Sequence, residues 1–164
     1  MLALVSCARA DAEIVSRSEI SYFTVGGSTP ADIYRNILDR GPWVGGARAI
    51  ASISTRASQD AAVTESGGSC RVKDYVIKLD FTIQRPRIAN EQILQQAERA
   101  MWRQMNSFIA AHEDQHKQVS QGCATDLDRR IATLSAPTCR ELGAQAETLW
   151  QEMLATCDAT QRSF

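Results

Sequence analysis

The chain has 164 residues, the size of one domain with no room for a second sizeable core. Lys and Arg number 18 and Asp and Glu number 19, for a formal net charge of -1. This balance excludes the strongly basic surface of a nucleic-acid-binding protein and a polybasic membrane patch. Because no run of roughly 20 apolar residues is present, no transmembrane span is expected either.

The N-terminus is predicted to be the remnant of a signal peptide that covers residues 1–10. A short apolar run is followed by Ala8-Arg9-Ala10, the small-x-small pattern that signal peptidase accepts. Residues 11–164 would then form a single mature domain, either periplasmic or secreted. Cys7 ends a segment that resembles a lipobox, so a lipid anchor at Cys7 is one alternative, and a frayed hydrophobic terminus is another.

The first third of the chain is predicted to contain strands and one helix. Residues 19–25 have the β-branched and aromatic composition of a strand. A helix is expected to begin after Thr29, with Pro at its first turn, and to stop at Gly41-Pro42. Residues 47–55 are predicted to form a second strand, and the polar, glycine-rich residues 58–69 a loop.

The middle of the chain predicts one long strand. Apolar and polar residues alternate over residues 75–84, which is typical of a strand with one buried face. Pro86 is expected to end this strand. Its edge could accept an extended peptide by strand addition, and the alternative is a strand that is paired on both sides.

The remainder predicts two helices. From Asn90 the apolar period becomes helical and continues to about Leu134, with Gly122 as the place where the helix could be interrupted. A turn is expected near Ala136, and Thr138 begins a return helix through a capping box. The apolar stripe of the long helix is predicted to contain Ile93, Ala97, Met101, Met105, Phe108, His112, His116, Val119, Cys123, Leu127, Ile131 and Leu134.

These elements predict an α+β fold. A small antiparallel or mixed sheet would pack on the long helix and on an antiparallel C-terminal return helix. No alternation of strand, helix and parallel strand is visible, so a doubly wound parallel sheet is not expected.

Both histidines of the chain lie in one motif on the predicted long helix. His112-Glu113-Asp114-Gln115-His116 reads H-E-x-x-H, and positions i and i+4 lie one above the other on a helix face. Two imidazoles so placed can bind one Zn²⁺. Glu113 can take a proton from a zinc-activated water and return it to the leaving amine. The motif therefore predicts His112 and His116 as zinc ligands and Glu113 as the general base and acid.

Other interpretations of this motif stay open. The histidines could be part-buried residues that satisfy backbone carbonyls, or they could bind a metal without catalysis. A catalytic zinc needs a third protein ligand. A symmetric hairpin centred near Ala136 would place residue 160 opposite residue 112, which makes Asp158 a candidate. Three tyrosines are candidates for the donor that assists the metal at the oxyanion: Tyr22, Tyr34 and Tyr75.

Five segments in a set order resemble one bacterial family. They are Tyr22–Thr29, Leu38–Pro42, the strand that opens with Cys70, the motif His112–His116, and Cys139–Leu142. This family is the bacterial domain-of-unknown-function 922 family, described as predicted secreted zinc-dependent proteases. The resemblance implies a zincin-like fold, Zn²⁺ as cofactor, and a peptide or protein as substrate.

The resemblance also bears on the cysteines and on the third zinc ligand. It favours a disulfide between Cys70 and Cys139, which leaves Cys123 and Cys157 as a second pair. In a straight helical hairpin that second pair is offset by roughly 10 Å along the axes, so it requires a helix break or does not form. Family members continue beyond the aromatic position of Phe164 to a further histidine, the natural third ligand. The resemblance therefore implies that residues 11–164 are a zincin-like domain that lacks its extreme C-terminus, or a degenerate member of the family.

The prediction that follows is an exported zinc-dependent metallopeptidase. Without residues 1–10 the chain keeps an even number of cysteines, which fits two disulfides in an oxidising compartment. The alternative is a non-catalytic, disulfide-stabilised envelope domain with a degenerate or incomplete metal site. A third hypothesis is a zinc hydrolase that acts on a non-peptide amide such as cell-wall material.

Overall fold

A computed structural model of the chain describes residues 13–163. Within this range the fold is mixed α+β, with three α-helices, a four-stranded sheet and a two-stranded hairpin. No helix in the described range combines the length and the apolar character needed to cross a membrane. The predicted signal-peptide remnant at residues 1–10 and the candidate anchor Cys7 lie outside the described residues.

Strands and helices follow one another along the chain in a simple order. The larger sheet contains β1 (Glu13–Val25), β4 (Ser52–Ser66), β5 (Ser69–Ile88) and β6 (Ser135–Ala136), and the small hairpin contains β2 (Trp43–Val44) and β3 (Ala47–Arg48). The helices are α1 (Pro30–Arg40), α2 (Gln96–Ile131) and α3 (Cys139–Gln161), and a short 3₁₀ turn at Glu91–Ile93 precedes α2.

β5 is the central strand of the larger sheet. It lies between β1 and β4, and β6 pairs antiparallel with its first residues, with Cys70 opposite Ala136 and Arg71 opposite Ser135. The hypothesis that β5 offers a free edge to a peptide is therefore wrong, because neighbouring strands flank it on both sides. The predicted alternation is confirmed: Tyr75, Ile77, Leu79, Phe81 and Ile83 are all buried.

Two predictions about the strands are wrong. Residues 58–69 were expected to form a loop. Instead they form the second half of β4 and the first residue of β5, and the turn Gly67-Gly68 joins the two strands. Both glycines have positive φ, as a two-residue hairpin turn requires. Most residues of β4 are exposed and none is buried, so the strand is polar and its composition resembles that of a loop. β5 also continues past Pro86 to Ile88, because the fixed φ of proline is compatible with an extended strand, at the cost of one backbone donor.

The predicted second strand at residues 47–55 is divided in the structure. Its first two residues form β3 of the small hairpin, and its last residues begin β4. The predicted first strand is confirmed and extends back to Glu13. The first helix is confirmed as well: the Thr29 side chain accepts from the Asp32 amide at 3.2 Å.

The chain divides into two compact units. Within the described residues, unit one consists of residues 13–16, Ala57–Leu79 and residues 119–163, and unit two of Arg17–Arg56 and Asp80–Gln118. A core cluster in unit one is formed by Cys70, Ala136 and Leu142. The core cluster of unit two is formed by Val25, Ile33, Ile37, Ile88, Leu94 and Trp102.

The long helix α2 runs through Gly122 without interruption. Its buried face, however, differs from the predicted apolar stripe. Met101 and Phe108 of that stripe are 55% and 72% exposed, whereas the residues that follow them, Trp102 and Ile109, are buried. The predicted stripe advances mostly in steps of four, so it drifts around a helix of 3.6 residues per turn. The buried residues of α2 are Trp102, Ile109, Glu113, Ser120, Ala124, Leu127 and Ile131.

We expect Gly122→Ala to raise the free energy of unfolding by about 1 kcal/mol, because glycine in a helix interior costs this much relative to alanine. A Cβ at Gly122 would meet nothing within 4 Å. Urea denaturation measures the change. Gly41→Ala is the control and should destabilise, since its Cβ would lie 2.0 Å from the carbonyl oxygen of Ala49. A destabilised Gly122→Ala would contradict an unbroken α2.

Both disulfides predicted from the resemblance are present in unit one. Cys70 and Cys139 have a Cα–Cα distance of 5.1 Å, and Cys123 and Cys157 one of 6.0 Å. The expectation that the second pair needs a broken helix is wrong. Cys123 lies about two turns before the end of α2 and Cys157 about five turns after the start of α3. The connecting residues 132–138 are long enough to cover this offset of roughly 15 Å.

The register of α2 against α3 in unit one also corrects the predicted hairpin. Arg130 pairs with Glu152 at 2.5 Å, and the Cys157 Sγ lies 3.8 Å from the carbonyl oxygen of Val119. The two helices are antiparallel as expected, but the centre of the hairpin is not at Ala136, because residues 135–136 form β6. The symmetric register that placed residue 160 opposite residue 112 is therefore wrong.

Candidate metal centre

The H-E-x-x-H motif lies within the continuous helix α2 and in unit two. The Nε2 atoms of His112 and His116 are 3.2 Å apart, with ring centroids at 4.8 Å and an interplanar angle of 86°. Two ligands of one tetrahedral Zn²⁺, each about 2.0–2.1 Å from the ion, are separated by roughly 3.3 Å. The spacing of the two ring nitrogens therefore fits a shared metal ion.

Glu113 occupies the most buried position of the motif. It is 4% exposed and is the only charged residue among the buried residues that the structure describes. Its Oε2 atom is buried without a hydrogen-bond partner among the described residues. Burial raises the pKa of Glu113, and the charges of His116 and His112 oppose this effect. A buried, unpaired carboxylate oxygen is costly, so it marks a position where a ligand or a proton is expected.

Burial within the motif is the reverse of the sequence prediction. The histidines were expected on the core-facing stripe, yet both are half-buried, and Glu113 is at the centre of the buried face. Successive helix residues are about 100° apart, so a face centred on Glu113 leaves His112 at its edge. The arrangement leaves the two imidazoles partly exposed and the Glu113 side chain buried.

Asp114, the other acid in the motif, has a different environment. Its carboxylate pairs with the Lys117 Nζ at 2.7 Å, and its side chain is half exposed. Its negative charge contributes to the raised pKa of Glu113. Two adjacent carboxylates on one helix thus differ in burial and pairing, and only Glu113 is buried and unpaired.

Arg85 is a partly buried cation of unit two that no sequence motif singled out. It lies on β5 in unit two, is half-buried, and its Nε is buried without a hydrogen-bond partner in the described range. Its positive charge lowers the pKa of Glu113 against the effect of burial. The sequence pattern that could have identified Arg85 is the alternation of β5, because its inward row continues from Ile83 to Arg85. The prediction that the strand ends at Pro86 did not consider this position.

The third metal ligand is not identified within residues 13–163. There, the one set of three ligand atoms within 4.8 Å of one another belongs to Glu65, Cys70 and Cys139. Since Cys70 and Cys139 form a disulfide, this set is not a thiolate metal site. The candidate Asp158 pairs with Arg162 at 2.7 Å, and both side chains are exposed.

The three tyrosines considered as oxyanion donors have other environments. Tyr22 is 50% exposed with Arg87 stacked over its ring, and Tyr34 is also 50% exposed. The Tyr75 hydroxyl donates to the Gln59 Oε1 at 2.6 Å. Burial raises the pKa of Tyr75 to about 12, and nearby carboxylates add to this effect. Tyr75 therefore stays protonated and engaged in its own hydrogen bond.

The sequence matches one family over residues 20–164, with the description "Bacterial protein of unknown function (DUF922)". The chain belongs to this family, which confirms the resemblance drawn from the sequence. No curated protein and no solved structure matches the sequence. The family description names no reaction, so the function must be argued from the site.

Proposed function

We propose that this family member is an exported zinc-dependent metallopeptidase. The observation that carries the proposal is the 3.2 Å separation of the His112 and His116 Nε2 atoms, together with the buried Glu113 Oε2 that has no hydrogen-bond partner among the described residues. A structural pair of histidines would need no such carboxylate beside it. Burying a charged group without a partner costs several kcal/mol, so retention of Glu113 supports a chemical role.

Each residue of the motif has a role in the proposed reaction. His112 and His116 would hold the zinc, which when bound polarises a carbonyl and lowers the pKa of water. Glu113 would take the proton of the attacking water on Oε2 and return it to the leaving amine. The raised pKa of Glu113 suits this exchange, because an acid–base group works best with a pKa near the operating pH.

The two disulfides support export. Structural disulfides persist in oxidising compartments and are rare in the bacterial cytosol. Both bridges lie in unit one and connect residues that are 69 and 34 positions apart in the sequence. They suit a protein that works in the periplasm or outside the cell.

The metal-binding part of the proposal predicts the zinc content of four proteins. We expect about one zinc per chain in the wild type by mass spectrometry, and a loss of at least tenfold in affinity in His112→Ala and His116→Ala, since each removes one ligand. Gln115→Ala is the matched control, because Gln115 is an exposed residue of the same motif. A chelator should remove the zinc from the wild type and from this control.

The result that contradicts this part is a wild type that binds no zinc, or histidine variants that bind it as tightly as the wild type does. In that case the short distance between the rings reflects an imidazole–imidazole hydrogen bond.

The second candidate function is a non-catalytic envelope domain. It is favoured by the two disulfides and by the described residues, which supply two histidines and no identified third ligand. Zinc binding without hydrolysis of any peptide favours this candidate or a hydrolase for a non-peptide amide. Incubation with cell-wall fragments and detection of released amines separates the last two.

A further inference from the structure

We infer that the exposed side of α2 next to His112 binds an apolar side chain of the substrate, with Phe108 and Met101 as the contact residues. The inference rests on the proposed peptidase function and names the class of peptide that the site prefers, one with a large aliphatic or aromatic residue near the scissile bond. All the positions involved lie on one continuous helix and within unit two.

The first observation is the exposure of two large apolar side chains on α2. Phe108 is 72% exposed and Met101 is 55% exposed. The other exposed residues of α2 that precede His112 are alanines or polar residues. A single exposed apolar residue is ordinary on a protein surface, so what matters is where these two lie relative to the candidate metal centre.

The second observation is that both residues lie on the same side of α2 as His112. Successive residues of an α-helix are about 100° apart around its axis. Phe108 is four residues and Met101 eleven residues before His112. Both positions are therefore within about 40° of His112 around the axis, in a helix that is not interrupted between them.

Met105 connects these positions to the core of unit two. It lies within about 20° of His112 around the helix axis, is half-buried, and packs against the core cluster that contains Trp102. We call Met101, Met105 and Phe108 the Met–Phe strip. One of its residues is anchored in the core and two are open to solvent, so the strip can receive an apolar group without rearrangement of the helix.

The spacing along α2 fits an extended peptide. A helix rises 1.5 Å per residue, so Phe108 lies about 6 Å and Met101 about 17 Å from His112 along the axis. An extended peptide rises about 3.3 Å per residue. A peptide that has its carbonyl at the metal and runs along α2 therefore presents the side chain two residues away to Phe108, and one about five residues away to Met101.

The shared side of the helix also favours a peptide over a second copy of the chain as the occupant. A folded protein docked on the Met–Phe strip would cover His112 as well and would close the candidate site. An extended peptide uses the strip and the metal at the same time. The occupant we propose is thus a substrate segment with an apolar side chain two residues from the scissile bond, on one side of that bond.

The test measures the binding of two pairs of peptide hydroxamates to the zinc-loaded protein by calorimetry. One pair extends from the amino side and the other from the carboxyl side of the chelating group, and the members of each pair have Leu or Ser two residues from that group. In the wild type we expect the Leu member of one pair to bind about tenfold more tightly than its Ser partner. This is the lower end of what burial of a leucine side chain supplies.

Phe108→Ser should remove this preference at unchanged zinc content and unchanged affinity for the Ser members. Its melting temperature should stay close to that of the wild type, because the Phe108 side chain is largely exposed. Ile93→Ser is the matched control and should keep the preference. Ile93 is 59% exposed and lies in unit two, but in the 3₁₀ turn before α2.

The outcomes distinguish this inference from the proposed function. If the wild type binds zinc but prefers Leu in neither pair, or if Phe108→Ser keeps the preference, the inference is overturned and the metal site stands. It is also overturned if the wild type is a dimer in sedimentation and Phe108→Ser a monomer, since the strip is then an interface between copies. A wild type that binds no zinc ends both proposals. Hydroxamate binding needs no turnover, so the strip is tested even without a known substrate.

Discussion

Glu113→Gln is expected to lower the rate of peptide hydrolysis by the zinc-loaded protein by about 10²–10⁴, the usual contribution of a general acid–base group. Glutamine keeps the size of the side chain but cannot take a proton. The zinc content should not change, because the ligands His112 and His116 remain. The measurement is kcat/KM on a mixture of unstructured peptides, together with zinc by mass spectrometry.

Asp114→Asn is the matched control for this change. Asp114 is the neighbouring acid in the same motif, but it is half exposed and paired with Lys117. Its substitution should leave the rate within about twofold, as expected for a surface ion pair of small energy. Equal losses in the two variants would argue against a specific role for Glu113.

The stability of Glu113→Gln gives an independent test of the role of Glu113. Burial of an unpaired carboxylate disfavours the folded state, and the raised pKa of Glu113 reflects that cost. Glu113→Gln should therefore be at least as stable as the wild type in urea denaturation. An inactive but stable variant identifies a residue retained for chemistry, whereas an unstable one would indicate a structural role.

Removal of the disulfide between Cys70 and Cys139 is expected to lower the free energy of unfolding by about 4 kcal/mol. The two cysteines are 69 positions apart, and the entropy that a cross-link removes from the unfolded chain grows with the length of the closed loop. The change to measure is the urea midpoint of Cys70→Ala/Cys139→Ala under oxidising conditions. Loss of Cys70 packing adds to the effect, because this residue is fully buried in a core cluster of unit one.

The second disulfide provides the comparison. Cys123 and Cys157 are 34 positions apart, so the same argument gives a slightly smaller loss, also of about 4 kcal/mol. Wild-type protein in a reducing buffer should lose the stability of both bridges. A wild type whose stability is the same in reducing and oxidising buffers would contradict the presence of the disulfides in the folded protein.

Local patterns were sufficient wherever a feature depends on neighbouring residues. The bounds of α1 follow from the cap at Thr29 and the stop at Gly41, and the alternation of β5 follows from the period of two. The H-E-x-x-H spacing places two ring nitrogens one turn apart on any helix, as observed for His112 and His116. These features need no knowledge of the remainder of the fold.

Features that depend on packing could not be predicted in this way. The polar strand β4 resembles a loop, because an exposed strand has no apolar alternation. The offset of α3 relative to α2 depends on the path of residues 132–138, which includes β6. A symmetric hairpin would keep Cys123 and Cys157 apart. The actual offset of α3 brings them together, so the second disulfide forms.

In the candidate site, too, local sequence determines some features and tertiary packing determines others. The residue types and their spacing along one helix were enough to name His112, Glu113 and His116, because helical geometry relates close neighbours in a set way. Only the folded chain decided that Glu113 is buried, that the histidines lie at the edge of that face, and that the charge of Arg85 lowers the pKa of Glu113. Burial and long-range charge arise when distant segments pack together, and no local pattern encodes which side of a helix the remainder of the chain will cover.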